Sequence, residues 1–84
     1  MANVSFTIIE HLGVIKVNGN GWSRELNIVS WNGGEPKYDI REWDPRHEKM
    51  YRGITMTAKE MAAVAELHRQ HRDEKNSDAT FAKK

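Results

Sequence analysis

Apolar and polar positions change rhythm five times along the chain, and each change marks an element. Residues 5–17, SFTIIEHLGVIKV, are rich in β-branched and aromatic side chains and predict a strand, with Gly13 marking a bend or bulge inside it. NGNG at residues 18–21 is a turn signal. Residues 22–31, WSRELNIVSW, predict a second strand, and NGG at 32–34 the next hairpin turn. KYDIREW, residues 37–43, predicts a third strand. Asp44-Pro45 opens a loop through His47, and KMYRGITM, residues 49–56, predicts a fourth strand. The joints are short, so an antiparallel meander is the economical topology.

At Thr57 the period changes from two to that of a helix. TAKE places Glu60 three residues after a Thr N-cap, the spacing of a capping box. The helix is predicted to run to about Asp73. Met61, Val64, Ala65 and His68 form one stripe, and Ala63, Leu67 and Gln70 a second line beside it. Residues 75–84 are expected to be a disordered tail. The predicted class is therefore α+β: a four-stranded antiparallel sheet followed by one C-terminal helix, ββββα, in a single domain over residues 1–74.

Alternation then sorts the third strand. Tyr38, Ile40 and Glu42 share one side; Lys37, Asp39, Arg41 and Trp43 share the other. The apolar set is assigned to the core, which leaves Lys37, Arg41 and Trp43 on an open face. On the fourth strand Ile54 and Met56 read inward, with Lys49, Tyr51 and Thr55 outward. Arg52 has inward parity and is expected at a bulge or strand start. Leu26 and Ile28 suit one face of the second strand, Val29 and Trp31 the other.

Composition adds limits. Eighty-four residues make one small domain with a modest core, and the absence of cysteine removes any disulfide support. A second copy of the chain is the simplest source of extra stability. The formal net charge is +1, and the cations lie in no block: residues 23–56 carry six cations and six anions. Any polyanion site must come from sorting charges onto faces. Neither a signal peptide nor the roughly 20-residue apolar run of a membrane span is read, so a cytoplasmic protein is expected, nucleoid-associated if bacterial.

Cations interleaved with flat rings suit single-stranded nucleic acid. Phosphates pair with Lys and Arg, and unpaired bases stack on aromatic rings at about 1–3 kcal/mol each. Two ordinary readings compete. Tryptophans in a small β domain usually pack a core, and alternating charges usually mark a solvated surface.

The run Asp39-Ile40-Arg41-Glu42-Trp43, then Asp44-Pro45, the basic segment Lys49 to Arg52, Gly53-Ile54-Thr55-Met56 and the N-cap Thr57 resembles the transcriptional coactivator positive cofactor four family of single-stranded DNA-binding domains. The likeness covers roughly Ser23 to His68. It implies a homodimer built from the helices and a sheet edge, with two grooves for antiparallel single strands. It places Arg41, Trp43, Lys49 and Arg52 on DNA-contact positions, with Trp31 and Lys37 near two others. The chain carries a lone Trp43 where the family has an aromatic pair, and Glu48 in a region usually more basic. It looks like a compact, bacterial-type member. The expected nucleic-acid contacts are Lys16, Trp22, Arg24, Trp31, Lys37, Arg41, Trp43, Lys49, Tyr51 and Arg52. The expected dimer contacts are Met61, Val64, Leu67 and His68.

Other chemistries find less support. His68 and His71 share a helix face, but no third ligand stands at close spacing. Glu42, Asp44 and Glu48 lack a nucleophile or phosphate-cradling loop beside them, and the glycines read as turn residues. No enzyme, metal or cofactor is expected. The rival function is a protein-interaction module using the Trp-rich face. DNA and RNA both remain open as targets.

Overall fold

The computed structural model describes residues 4–77, with side chains through Lys75. The elements are β1 (Phe6–Val17), β2 (Ser23–Trp31), β3 (Lys37–Trp43), β4 (Ile54–Met56) and α1 (Ala58–Ser77), and the strands pair in the order β1-β2-β3-β4, each antiparallel to the next. This is the expected meander plus helix. The β2–β3 turn shows why NGG works. Asn32 and Gly33 both adopt positive φ, 51° and 75°, and the Gly34 N–H donates to the Trp31 carbonyl at 2.8 Å. That is the turn whose twist matches a hairpin, and it needs residues tolerant of left-handed backbone.

The fourth strand is shorter than expected. Only Ile54–Met56 pairs with β3, and Trp43 and Met50 form an isolated bridge. Asp44 explains the difference. Its carboxylate accepts from the N–H groups of Glu48 and Lys49, both at 2.8 Å, while His47 takes φ 59°. These bonds close residues 44–49 into a loop, so the loop expected through His47 also takes in Lys49, the predicted first residue of the strand. Strand pairing resumes past Gly53, where a Cβ would stand 2.3 Å from the Ile40 carbonyl oxygen.

The sheet is strongly coiled. In β2, Trp31 and Ser23 are eight residues apart, about 26 Å if the strand were flat. Phe6 pairs with Trp31 and Trp43 with Ser23, yet the Phe6 and Trp43 rings are 5.0 Å apart. The Arg41 guanidinium likewise sits 4.6 Å from the Trp31 ring. β1 shows a cause. It spends 12 residues against the 9 of β2, and the unpaired extras are Ile9, Leu12 and Ile15 at three register shifts. Each bulge bends a strand and increases its twist.

Coiling reverses the expected core. The residue sets on each face agree with alternation, but the face carrying Asp39, Arg41 and Trp43 is the one that closes. Val29, Trp43, Asn27 and Asp39 are fully buried there, and Glu25 nearly so. On the other face Met56, read as inward, is buried opposite Tyr38, but Tyr38, Ile40 and Glu42, assigned to the core, are only half-buried, and Ile54 is 56 % exposed.

The capping box forms as expected. The Glu60 N–H donates to Thr57 Oγ1 at 3.1 Å, and the Thr57 N–H to Glu60 Oε1 at 2.9 Å. Thr57 alone separates β4 from α1, too little chain to fold the helix back over the sheet. Among the described strands, α1 accordingly touches β3 and β4. Of the predicted core stripe, Met61 is half-buried while Val64, Ala65 and His68 are exposed, and Leu67 is 64 % exposed. The helix continues to Ser77, three residues into the segment expected to be a disordered tail; residues 78–84 lie outside the described residues.

Candidate nucleic-acid interface

A cleft of about 360 Å³ opens where the end of β3 meets the segment before β4. Arg24, Ile40, Arg41, Glu42, Tyr51, Arg52, Gly53 and Ile54 line it. The register brings Arg24 opposite Glu42, and their side chains pair at 2.9 Å. The Tyr51 N–H donates to the Glu42 carbonyl at 3.0 Å, which anchors the tyrosine at the cleft. Trp22 is held by its own N–H donating to Asn20 Oδ1 at 3.0 Å. Its ring stacks on Tyr51 with centroids 4.5 Å apart and planes 24° from parallel. Tyr51 remains 55 % exposed, so this aromatic pair reaches solvent.

Arg41 is fixed from below. Asp39 accepts from its Nε at 2.7 Å and its Nη2 at 2.8 Å, a bidentate pair, and also from the Thr55 hydroxyl at 2.9 Å. A fully buried carboxylate is tolerable because those donors replace water. The guanidinium lies over Trp31, adding a cation–π contact at an otherwise shielded ring.

The sequence-derived list therefore divides. The structure brings Arg24, Arg41, Tyr51 and Arg52 together in the cleft and Trp22 onto Tyr51. Lys16 is the register partner of Arg24 and borders them. Trp31 joins through Arg41. Lys37 is exposed at the start of β3 opposite Val29, and Lys49 is exposed in the loop. Arg24 and Arg41 are each paired with a carboxylate, Glu42 and Asp39, and Lys49 lies beside the Asp44 carboxylate, whereas Lys16, Lys37 and Arg52 make no ion pair among the described residues. Trp43 is a correction. It is fully buried, with its ring 5.0 Å from Phe6 and 5.8 Å from His47, and presents no stacking surface. The expected dimer contacts Val64, Leu67 and His68 are exposed and Met61 half-buried on α1.

A second cavity, about 430 Å³, lies on the closed face and is lined by Ile8, His11, Val14, Glu25, Asn27 and His47. Glu25 is its hub. Burial pushes this carboxyl up, but hydrogen bonds from Ser23, His47 and Asn27, with the nearby His47, outweigh it and hold the group below its ordinary value. The Ser23 hydroxyl donates at 2.6 Å, His47 Nε2 lies 2.9 Å from both oxygens, and Asn27 Nδ2 donates at 3.2 Å. His11 Nδ1 completes the chain 2.7 Å from Asn27 Oδ1. Sequence reasoning assigned no role to His11, His47, Glu25 or Asn27. The available signal was polar residues at the parity of Val29 and Trp31.

Among the described residues no cluster of His, Cys, Asp or Glu is arranged to hold a metal ion, and no helix is long and apolar enough to cross a membrane. A Treponema pallidum protein of uncharacterised function is 44 % identical over 62 residues, covering 74 % of this chain and 73 % of that protein. The family model described as Transcriptional Coactivator p15 (PC4) matches residues 18–67, a span that includes β2, β3, β4, the Asp44 loop, the three-arginine cleft and the first half of α1. With the meander, the capped helix and that span in register, this chain belongs to the transcriptional coactivator p15 (PC4) family.

Proposed function

We propose that the protein binds single-stranded nucleic acid, single-stranded DNA in the first instance, as a homodimer with little sequence preference. Family membership supports nucleic-acid binding in general. The observation that carries the finer reading is the three-arginine cleft beside the exposed Trp22–Tyr51 stack. Arg52, with Lys16 and Lys49, meets phosphates, and an unpaired base extends the aromatic stack. A duplex hides its base faces and cannot use the rings, so the arrangement favours a single strand. Stacking and phosphate contacts read all bases nearly alike. We read the chain as a binding module and not a catalyst.

The homodimer reading rests on exposed apolar surface. Ile54 on the sheet and Val64 and Leu67 on α1 face solvent in one copy. A chain of this size gains most by covering them with a second copy. A protein-interaction module remains the competing use of such a surface.

Equal-length single- and double-stranded DNA, titrated at two salt concentrations, tests the binding mode. Expected are tighter single-strand binding and an affinity that falls linearly with log salt. Equal affinity for the duplex, or no binding to either, refutes it. Sedimentation mass at low micromolar protein tests the dimer, and a monomer there refutes it.

A further inference from the structure

The Trp22–Tyr51 stack joins two segments that are distant in the chain, and something besides the rings has to hold those segments in place. We propose that Glu25 and His47 form a clasp that positions the stack from the opposite face of the sheet. They are positioning residues and do not contact the bound strand. The inference rests on the single-strand reading above, which makes the stack a binding surface.

Trp22 ends the β1–β2 turn, and Tyr51 precedes β4. Alternation along β2 puts Arg24 in the cleft and turns Ser23 and Glu25 to the closed face. There Glu25, its side chain 3 % exposed, accepts from both segments. Ser23, next to Trp22 in the chain, donates its hydroxyl at 2.6 Å. His47, in the loop that leads to Tyr51, brings Nε2 to 2.9 Å from both carboxylate oxygens. Among the described residues these are the hydrogen bonds that tie the Asp44 loop to β2. The Glu25 carboxyl, held below its ordinary value, is ionised at neutral pH and only accepts. His47 Nε2 therefore carries a hydrogen whether the ring is neutral or protonated, and the clasp does not depend on the charge of the ring.

The backbone points the same way. His47 has φ 59°, a left-handed conformation that a non-glycine residue sustains where its surroundings hold it. Its N–H is held by the Asp44 carbonyl at 2.9 Å and its side chain by Glu25. The loop also lies against the turn that carries Trp22, since a Cβ on Gly21 would stand 3.7 Å from Pro45 Cγ. Tyr51 itself is tied to β3: its N–H donates to the Glu42 carbonyl at 3.0 Å, and its carbonyl accepts from Arg41 Nη1 at 3.4 Å. The tie to β2, which continues from Trp22, is the clasp.

Oligothymidylate titrations of the parent and of Tyr51→Ala test it, with a melting curve on every variant. His47→Asn tolerates the left-handed backbone but is too short to reach Glu25, while His47→Gln keeps a donor at the reach of Nε2. Losing a hydrogen bond to a charged group leaves a smaller fraction of molecules with the stack assembled, so His47→Asn is expected to weaken binding about three- to tenfold. His47→Gln is expected to recover most of that loss. In the Tyr51→Ala background there is no stack left to position, and His47→Asn is expected to change binding by less than about twofold. The salt slope is expected to match the parent's throughout, because the clasp meets no phosphate. Ser23→Ala opens the other arm of the clasp and takes the place of His47→Asn if that variant does not fold, with the same pattern expected. Unchanged binding in the folded variant, or equal losses with and without the Tyr51 ring, overturns the clasp and leaves the single-strand reading standing. A parent that does not bind oligothymidylate overturns both.

Discussion

Removing the Trp43 side chain is expected to damage folding far more than binding. The ring is fully buried between Phe6 and His47, at 5.0 Å and 5.8 Å between centroids. An aromatic of this kind buries roughly 150–250 Å², about 4–6 kcal/mol at 25 cal/mol per Å². Denatured chains already hide part of that surface, which lowers the figure to about 3–5 kcal/mol. Phe/Trp→Ala substitutions in cores fall in the same range, about 3–5 kcal/mol. No hydrogen bond offsets or adds to it, because the Trp43 indole N–H has no partner among the described residues. An 84-residue domain has about 4–13 kcal/mol to lose, so Trp43→Ala is expected to melt tens of degrees lower, or to be largely unfolded if the parent is at the low end. Trp43→Phe is expected to be much milder. It keeps an aromatic against Phe6 and removes a buried donor whose orphaning costs about 1–3 kcal/mol. Circular-dichroism melts and an oligonucleotide titration on the same preparation separate stability from binding. A Trp43→Ala protein that melts with the parent but binds more than tenfold weaker, a loss of over about 1.4 kcal/mol, would refute the buried assignment and restore Trp43 as a stacking platform.

Three further outcomes are expected. Gly53→Ala places a Cβ 2.3 Å from the Ile40 carbonyl oxygen and from Arg41 Cβ, so it is expected to cost about 3 kcal/mol or more and to loosen β4; a melt within a degree of the parent counts against that close approach. Glu25 has its carboxyl held below the ordinary value, so its stabilisation is complete above about pH 4.3 and is lost as pH falls through the folded value. Acid denaturation curves of Glu25→Gln are expected to show a shallower acid limb, and an unchanged limb contradicts the assignment. In the cleft, Arg52→Ala is expected to flatten the salt slope by about 0.7 on a single strand. Tyr51→Ala is expected to cost about 1–3 kcal/mol of binding with the slope retained. Salt-dependent titrations that show the two variants behaving alike contradict this division of roles.

Local chemistry was legible in the sequence. Period-two alternation in 37–43 sorted Lys37, Asp39, Arg41 and Trp43 to one side and Tyr38 and Ile40 to the other, and the register confirms both sets. Asn32-Gly33 announced its turn and Thr57…Glu60 its cap, because each depends on residues within a few positions. The motif from Asp39 to Thr57 carried the family. Which side of the sheet closes was beyond local reading. Alternation distinguishes two faces but is blind to curvature, and coiling set by unpaired Ile9, Leu12 and Ile15 brings Trp31 and Trp43 toward one another across eight residues of β2. The same curvature buries Asp39 and Glu25, turning ordinary surface carboxylates into anchors for Arg41 and, through Asn27, His11. Asp44-Pro45 announced the loop, but how far it ran was set by which backbone N–H groups, those of Glu48 and Lys49, reached the Asp44 carboxylate. A single residue between β4 and α1 sent the helix away from the sheet, leaving Val64 and Leu67 exposed. Period and capping are properties of neighbouring residues; burial is a property of the whole surface, and only the tertiary structure decides it.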